Sequence, residues 1–234
     1  MNVLAIVAHP DDMEIACCGT LLKCAERGDK IFVCHACSGN LGHVVIPPDE
    51  LRILRSNEAK QSGELGGFEV LHGGFDDLEI YENNKESRDK IVDIIKYANP
   101  DFIITHSPND YMPDHTAVSR LVFDASFTAT LPNYKSKQKK AAKLVPIYYM
   151  DTLTGVDFNP TEYVDVSKYI DKKIQMLNCH KTQTVWMKEH DNIDFGDMVK
   201  TCCKYRGFQC GADYAEGFTM CNVYLKQTTK RLLP

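Results

Sequence analysis

Short β-branched runs alternate with longer amphipathic runs, and this alternation constrains the fold more than any other feature of the chain. Residues 2–8 and 30–37 read as strands, and residues 14–27 between them as a helix stopped by Gly28. The pattern continues with a helix over 49–65 closed by Gly66 and Gly67, then a short strand over 69–72. A helix over 87–98 ends at Asn99-Pro100, a strand covers 101–106, a helix 114–129 and a strand 144–150. Strand–helix–strand order with strands apolar on both faces predicts a mostly parallel sheet joined by right-handed crossovers. The expected class is α/β, a Rossmann-like three-layer fold with helices on both faces of the sheet. The second half is less regular: a short strand over 163–166, helices over 168–184 and 194–205, and a last strand over 218–225. No linker or repeat interrupts the chain, so residues 1–234 are expected to form one domain.

The balance of charge excludes one large class of partners. Lys and Arg total 27 against 32 Asp and Glu, for a net charge of −5, whereas nucleic-acid binding relies on a basic face. Residues 135–143 hold five lysines and no acid, which reads as a solvated loop between a helix and a strand. The apolar run over 3–8 is far shorter than a membrane span and lacks a basic leader and cleavage site. A cytoplasmic protein is therefore expected. The ten cysteines are scattered and read as reduced, mostly buried thiols. Cys34 and Cys37 form a CxxC spacing inside a strand, where alternate side chains point to opposite faces and cannot share an ion.

In an open α/β sheet, ligands bind beyond the carboxyl ends of the strands. The loop after the first strand, Ala8-His9-Pro10-Asp11-Asp12-Met13-Glu14, is neither a glycine-rich dinucleotide fingerprint nor a P-loop. It sets one imidazole and three carboxylates within six residues, an arrangement whose mutual repulsion a bound cation would offset. The loop after the 101–106 strand ends in Met112-Pro113-Asp114-His115. Asp114 is a candidate N-cap there, and His115 falls in the first helical turn. His9, Asp12 and His115 make a mixed N/O ligand set from three positions, the pattern of a catalytic rather than a structural zinc site.

These residues resemble the LmbE-like/PIG-L zinc N-deacetylases. Ala8–Glu14 with Gly19 is similar to the family's AHPDDxE signature, and Pro113-Asp114-His115 to the end of its HPDH motif. Weaker likenesses lie at Ser38-Gly39-Asn40-Leu41-Gly42, Arg55-Ser56-Asn57-Glu58 and Tyr214-Ala215-Glu216-Gly217-Phe218. The resemblance implies Zn2+, or another divalent ion, on His9, Asp12 and His115, with Asp11 as general base. It further implies substrate contacts from Arg55 and Asp77. Tyr111, Met112 and His180 join them as candidate contacts, and Asp114 and Glu14 as carboxylates orienting the ligands. The implied substrate is a small N-acylated amino sugar or glycoside; homo-oligomerisation is left open.

The pattern breaks at Met112, where the family usually carries a histidine that stabilises the oxyanion or donates a proton. Methionine has no such donor. Tyr111, His106 or His180 could substitute, Asp11 could shuttle the proton alone, or the chain could be a weak or non-catalytic metal- and sugar-binding relative. A cysteine hydrolase built on Cys17 or Cys18 near a helix N-terminus is a further alternative.

Overall fold

The computed structural model describes residues 1–234. Strand β1 (Asn2–Val7) is apolar on both faces, and its side chains divide by parity: Val3, Ala5 and Val7 enter one buried cluster, Leu4 and Ile6 another. Strands β2 (Lys30–Cys37) and β4 (Phe102–Thr105) pair parallel with β1 on either side. Strand β3 (Glu69–Phe75) adds in parallel to β2, and β5 (Ile147–Met150) to β4. With β6 (Glu162–Asp165) and β7 (Ala215–Met220) they form a seven-stranded sheet of order β3-β2-β1-β4-β5-β7-β6. The α/β class and the mostly parallel sheet are as expected. Only β7 runs against its neighbours, antiparallel to both β5 and β6. It begins earlier than the expected 218–225 and ends at Met220, and the segment beyond it reaches a positive φ of 65° at Leu225.

Eight helices cover the sheet: α1 (Asp12–Ala16), α2 (Cys18–Glu26), α3 (Pro48–Gly66), α4 (Lys85–Ala98), α5 (Pro113–Thr128), α6 (Ile170–Leu177), α7 (Lys181–Asp191) and α8 (Phe195–Cys210). Ile91 and Ile95 of α4 with Val118, Leu121 and Val122 of α5 pack on the Leu4/Ile6 face. Leu21 and Leu22 of α2 with Met176 of α6 pack on the Val3/Val7 face.

Two helices expected to be continuous are broken, and tertiary ties explain both breaks. The 14–27 helix divides at Cys17 (φ −143°, ψ 5°). The new N-terminus is satisfied from far along the chain, because Glu216 accepts the Gly19 and Thr20 N–H groups at 2.9 and 2.7 Å. The fully buried Lys173 completes the tie, donating to Glu216 at 2.5 Å and to the Ile15 carbonyl at 2.9 Å. A Cβ at Gly19 would lie 2.7 Å from Val166, so this packing has room only for glycine. The 168–184 helix likewise divides between Leu177 and Lys181. Glu58 accepts the Thr182 N–H and hydroxyl at 2.9 and 2.6 Å, and His180 lies 3.1 Å from Glu14. Together these contacts turn the backbone out of its helical path.

All ten cysteines are free. The strict alternation expected at Cys34 and Cys37 fails, because a register shift between His35 and Cys37 places both in the same apolar cluster. Burial pushes the Cys17 and Cys18 thiols well above their ordinary range, which removes the reactive thiolate a cysteine hydrolase needs.

Candidate active site

The carboxyl ends of β1 and β4 are adjacent in the sheet, so the loops that follow them meet. Asp12 lies at their junction. Its Oδ2 accepts the His9 backbone N–H at 2.6 Å and lies 3.5 Å from His9 Nδ1, while its Oδ1 lies 3.4 Å from His115 Nε2. Ligand atoms of His9, Asp12 and His115 fall within 4.8 Å of one another.

The far nitrogen of each imidazole is bound to a carboxylate. His9 Nε2 meets Asp114 and His115 Nδ1 meets Asp110, each at 3.0 Å. The two nitrogens left over, His9 Nδ1 and His115 Nε2, face Asp12, and the buried His115 Nε2 has no hydrogen-bond partner. Carboxylates that orient imidazoles from behind, with lone pairs converging on a third oxygen, suit a divalent cation. The N/O/N donor set fits zinc and does not exclude other first-row ions.

The electrostatics agree with that fit. Burial opposes charge on His9, yet Asp114 and Asp12 hold its pKa up at about 10. His115 is raised to about 9 against burial by Asp12 and Asp110. Asp12, penalised by burial but surrounded by His115, His106 and His9, stays well below the usual carboxylate range. The site favours positive charge at the point where the three side chains meet.

Two overlapping groups also bring ligand atoms together: His9, Cys37, Asp77 and Asp114, and His106, Asp110 and His115. Their carboxylates and the His106 ring already have partners. Asp77 accepts the Gly39 and Leu41 N–H groups at 2.7 and 2.9 Å, and Asp114 accepts that of Leu78 at 3.0 Å. His106 Nε2 accepts the Ala8 N–H at 2.8 Å, which leaves the proton of the neutral ring on Nδ1. Burial and the neighbouring His115 push the His106 pKa down to about 4.

Asp11 occupies an unusual backbone position, with φ 109° and ψ −27°, immediately before α1. A non-glycine residue pays on the order of 1–3 kcal/mol for such a conformation, and the penalty persists only where the surroundings enforce it. Its carboxylate makes no cap bond to the helix; it pairs with Arg55 at 3.1 Å. Arg55 is itself buried, donating to the Gly39 and Pro10 carbonyls at 3.0 and 2.9 Å and to Gln183 at 3.4 Å. The surface pairing with Glu58 that α3 periodicity suggests for Arg55 is not formed, because Glu58 turns to Thr182. Burial raises the Asp11 pKa to about 6 against the pull of Arg55.

A cavity of about 290 Å³ opens on this cluster, lined among others by His9, Asp11, Asp12, Arg55, Asp77, Met112 and His115. The remaining expected residues divide. Asp114 lines the cavity and sits inside α5, with Met112 at the N-cap and Pro113 opening the helix. Glu14 and His180 are fully buried behind the cavity, Glu14 also accepting from Ser62. Tyr111 is 61% exposed and outside the cavity lining. Sequence reasoning missed Asp110 and Gln183 as participants, and it did not foresee the stacking of His106 on His115, with ring centroids 3.8 Å apart. The spacing of Asp110, five residues before His115, was the one available hint.

Known proteins resemble this chain in sequence and in fold. A family profile described as PIG-L: GlcNAc-PI de-N-acetylase matches residues 4–126. A probable N-acetyl-alpha-D-glucosaminyl L-malate deacetylase of Bacillus anthracis is 25% identical over 190 residues, covering 78% of this chain and 81% of that protein. The 4-carboxy-2-hydroxymuconate hydratase GalB of Pseudomonas putida superposes with a TM-score of 0.83 at 22% identity, over 99% of this chain and 100% of that one. The N,N'-diacetylchitobiose deacetylase of Pyrococcus horikoshii does so with 0.78 at 22% identity, over 94% and 83%. At such identities the solved structures speak for the fold alone. No helix is long and apolar enough to cross a membrane.

Proposed function

The chain belongs to the PIG-L family of GlcNAc-PI de-N-acetylases, and from that premise we propose that it is a divalent-metal-dependent hydrolase removing an N-acyl group from an amino sugar. The observation that carries this reading is the buried, unpartnered His115 Nε2, facing Asp12 together with His9 Nδ1. His9, Asp12 and His115 would hold the ion, with Asp114 and Asp110 fixing the imidazoles. Zinc bound there would supply Lewis acidity, polarising an amide carbonyl and making hydroxide available near neutral pH.

The other side chains have separable tasks. Asp11, held by Arg55 at the cavity wall, accepts the proton of the attacking water. Adjacent side chains diverge, so Asp11 and Asp12 divide the roles of base and ligand. Arg55 and Gln183 offer hydrogen bonds to sugar hydroxyls. Among the three substitutes considered for the donor missing at Met112, only His106 lines the cavity, and it is assigned the stabilisation of developing negative charge.

Metal-loaded protein incubated with a panel of N-acetylated amino sugars is expected to release free primary amine. A chelator should abolish the release and added zinc restore it. A protein that retains one ion and releases no amine from any sugar is instead the non-catalytic binding relative, a reading that Met112 alone favours. The role of His106 has its own check. If it supplies the donor, Met112→His will change turnover by less than about tenfold, whereas a gain of about 10²–10³ marks a donor that was absent.

A further inference from the structure

The cavity has two unlike ends, and the strand order assigns side chains to each. The metal-ligand candidates follow β1 and β4 at its centre; the β2 and β3 loops lie to one side and β5 to the other. The first side carries the polar groups Arg55 and Asp77, joined by Gln183 from α7, which packs on α3. Leu41 and Leu78 on that side are 53% and 59% exposed. The β5 side is lined by Ile15, Met150, Leu153 and Phe195; Met150 and Phe195 are buried, and Ile15 and Leu153 pack on the same apolar cluster as Phe195. Its charged residue, Asp151, is neutralised by a two-pronged pair with Arg206 at 2.6 and 3.0 Å. A second void of about 30 Å³ shares Ile15, Ala16, Asp151 and Leu153 with the first and is lined besides by Met198, Val199, Arg206 and Glu216.

Ile15 and Leu153 are the half-buried side chains of this end, and an acetyl group offers them a single methyl, too little to cover both. We propose that the β5 end receives the acyl group of the substrate, and that this group is a hydrocarbon chain longer than acetyl. The assignment rests on the hydrolase reading above: with the scissile amide at the metal ligands, the sugar lies towards Arg55 and the acyl chain towards Leu153. Burial of each added methylene raises kcat/KM by about fourfold. Four methylenes, from acetyl to hexanoyl, therefore give a gain on the order of 10².

The test measures amine release by metal-loaded protein from N-acetyl-, N-hexanoyl- and N-octanoyl-glucosamine, and from the octyl glycoside of N-acetylglucosamine. The expected order places the hexanoyl and octanoyl amides well above acetyl, with the octyl glycoside close to the unsubstituted N-acetyl sugar. In Leu153→Asp the hexanoyl-to-acetyl ratio is expected to fall towards one. Equal rates, or a preference for acetyl, overturn the assignment and leave the hydrolase standing. A preference for the octyl glycoside overturns it by moving the apolar group to the anomeric oxygen. A ratio unchanged in Leu153→Asp overturns the placement at β5. Amine from none of the four sugars overturns this proposal and the hydrolase reading together.

Discussion

Replacing Asp11 with asparagine is expected to lower turnover on an N-acylated amino sugar by about 10²- to 10⁴-fold while bound metal stays at the wild-type level. Asparagine is nearly isosteric, keeps an oxygen for Arg55, and is among the residues that best tolerate positive φ, so the strained turn at 109° survives the change. What disappears is the capacity to take a proton. Because the proposed ligands are His9, Asp12 and His115, metal content and turnover should separate in this variant. Metal analysis alongside kcat reads both quantities. Turnover within about threefold of wild type removes Asp11 from the chemistry, and parallel loss of metal makes it a ligand.

The second large effect lies away from the cavity. Glu216→Ala leaves Lys173 buried with only the Ile15 carbonyl and strips the Gly19 and Thr20 N–H groups of their acceptor. Breaking a buried pair from one side costs about 3–5 kcal/mol, which for a chain of this size lowers Tm by roughly 6–20 °C. The double variant Glu216→Leu/Lys173→Met removes both charges and should lose less stability than Glu216→Ala, as thermal or urea unfolding of the two will report. A loss below about 1 kcal/mol in Glu216→Ala shows that water reaches the pair and that the α1–α2 break does not depend on it.

The Tyr214–Phe218 likeness and Gly19 thus have a structural reason beside any functional one. Glu216 caps a helix start that local sequence does not announce, since no proline or glycine stands at Cys17. The break at residues 178–180 was equally illegible. Its causes, Glu58 on Thr182 and Glu14 beside His180, sit more than a hundred residues earlier in the chain. Arg55 shows the same limit from the other direction. Glu58 lies one helical turn further along α3, yet burial beneath the β1 loop gives Arg55 the Asp11 carboxylate and two carbonyls instead.

Read from the chain alone, the alternation of apolar runs was enough for the α/β class and the parallel core, because the period of a strand or helix is a local property that burial merely completes. The spacing of His9, Asp11 and Asp12 was legible for the same reason, lying within a single turn after one strand. Folding decided the rest. It chose which nitrogen of each imidazole is free, through Asp110 and Asp114, and it gave His106 a place in the cavity while hiding His180. It also set a polar wall and an apolar wall on either side of the proposed metal ligands. Such choices depend on pairs of groups distant in the chain, whose contact energies exist only once the sheet has brought the ends of β1, β4 and β5 side by side.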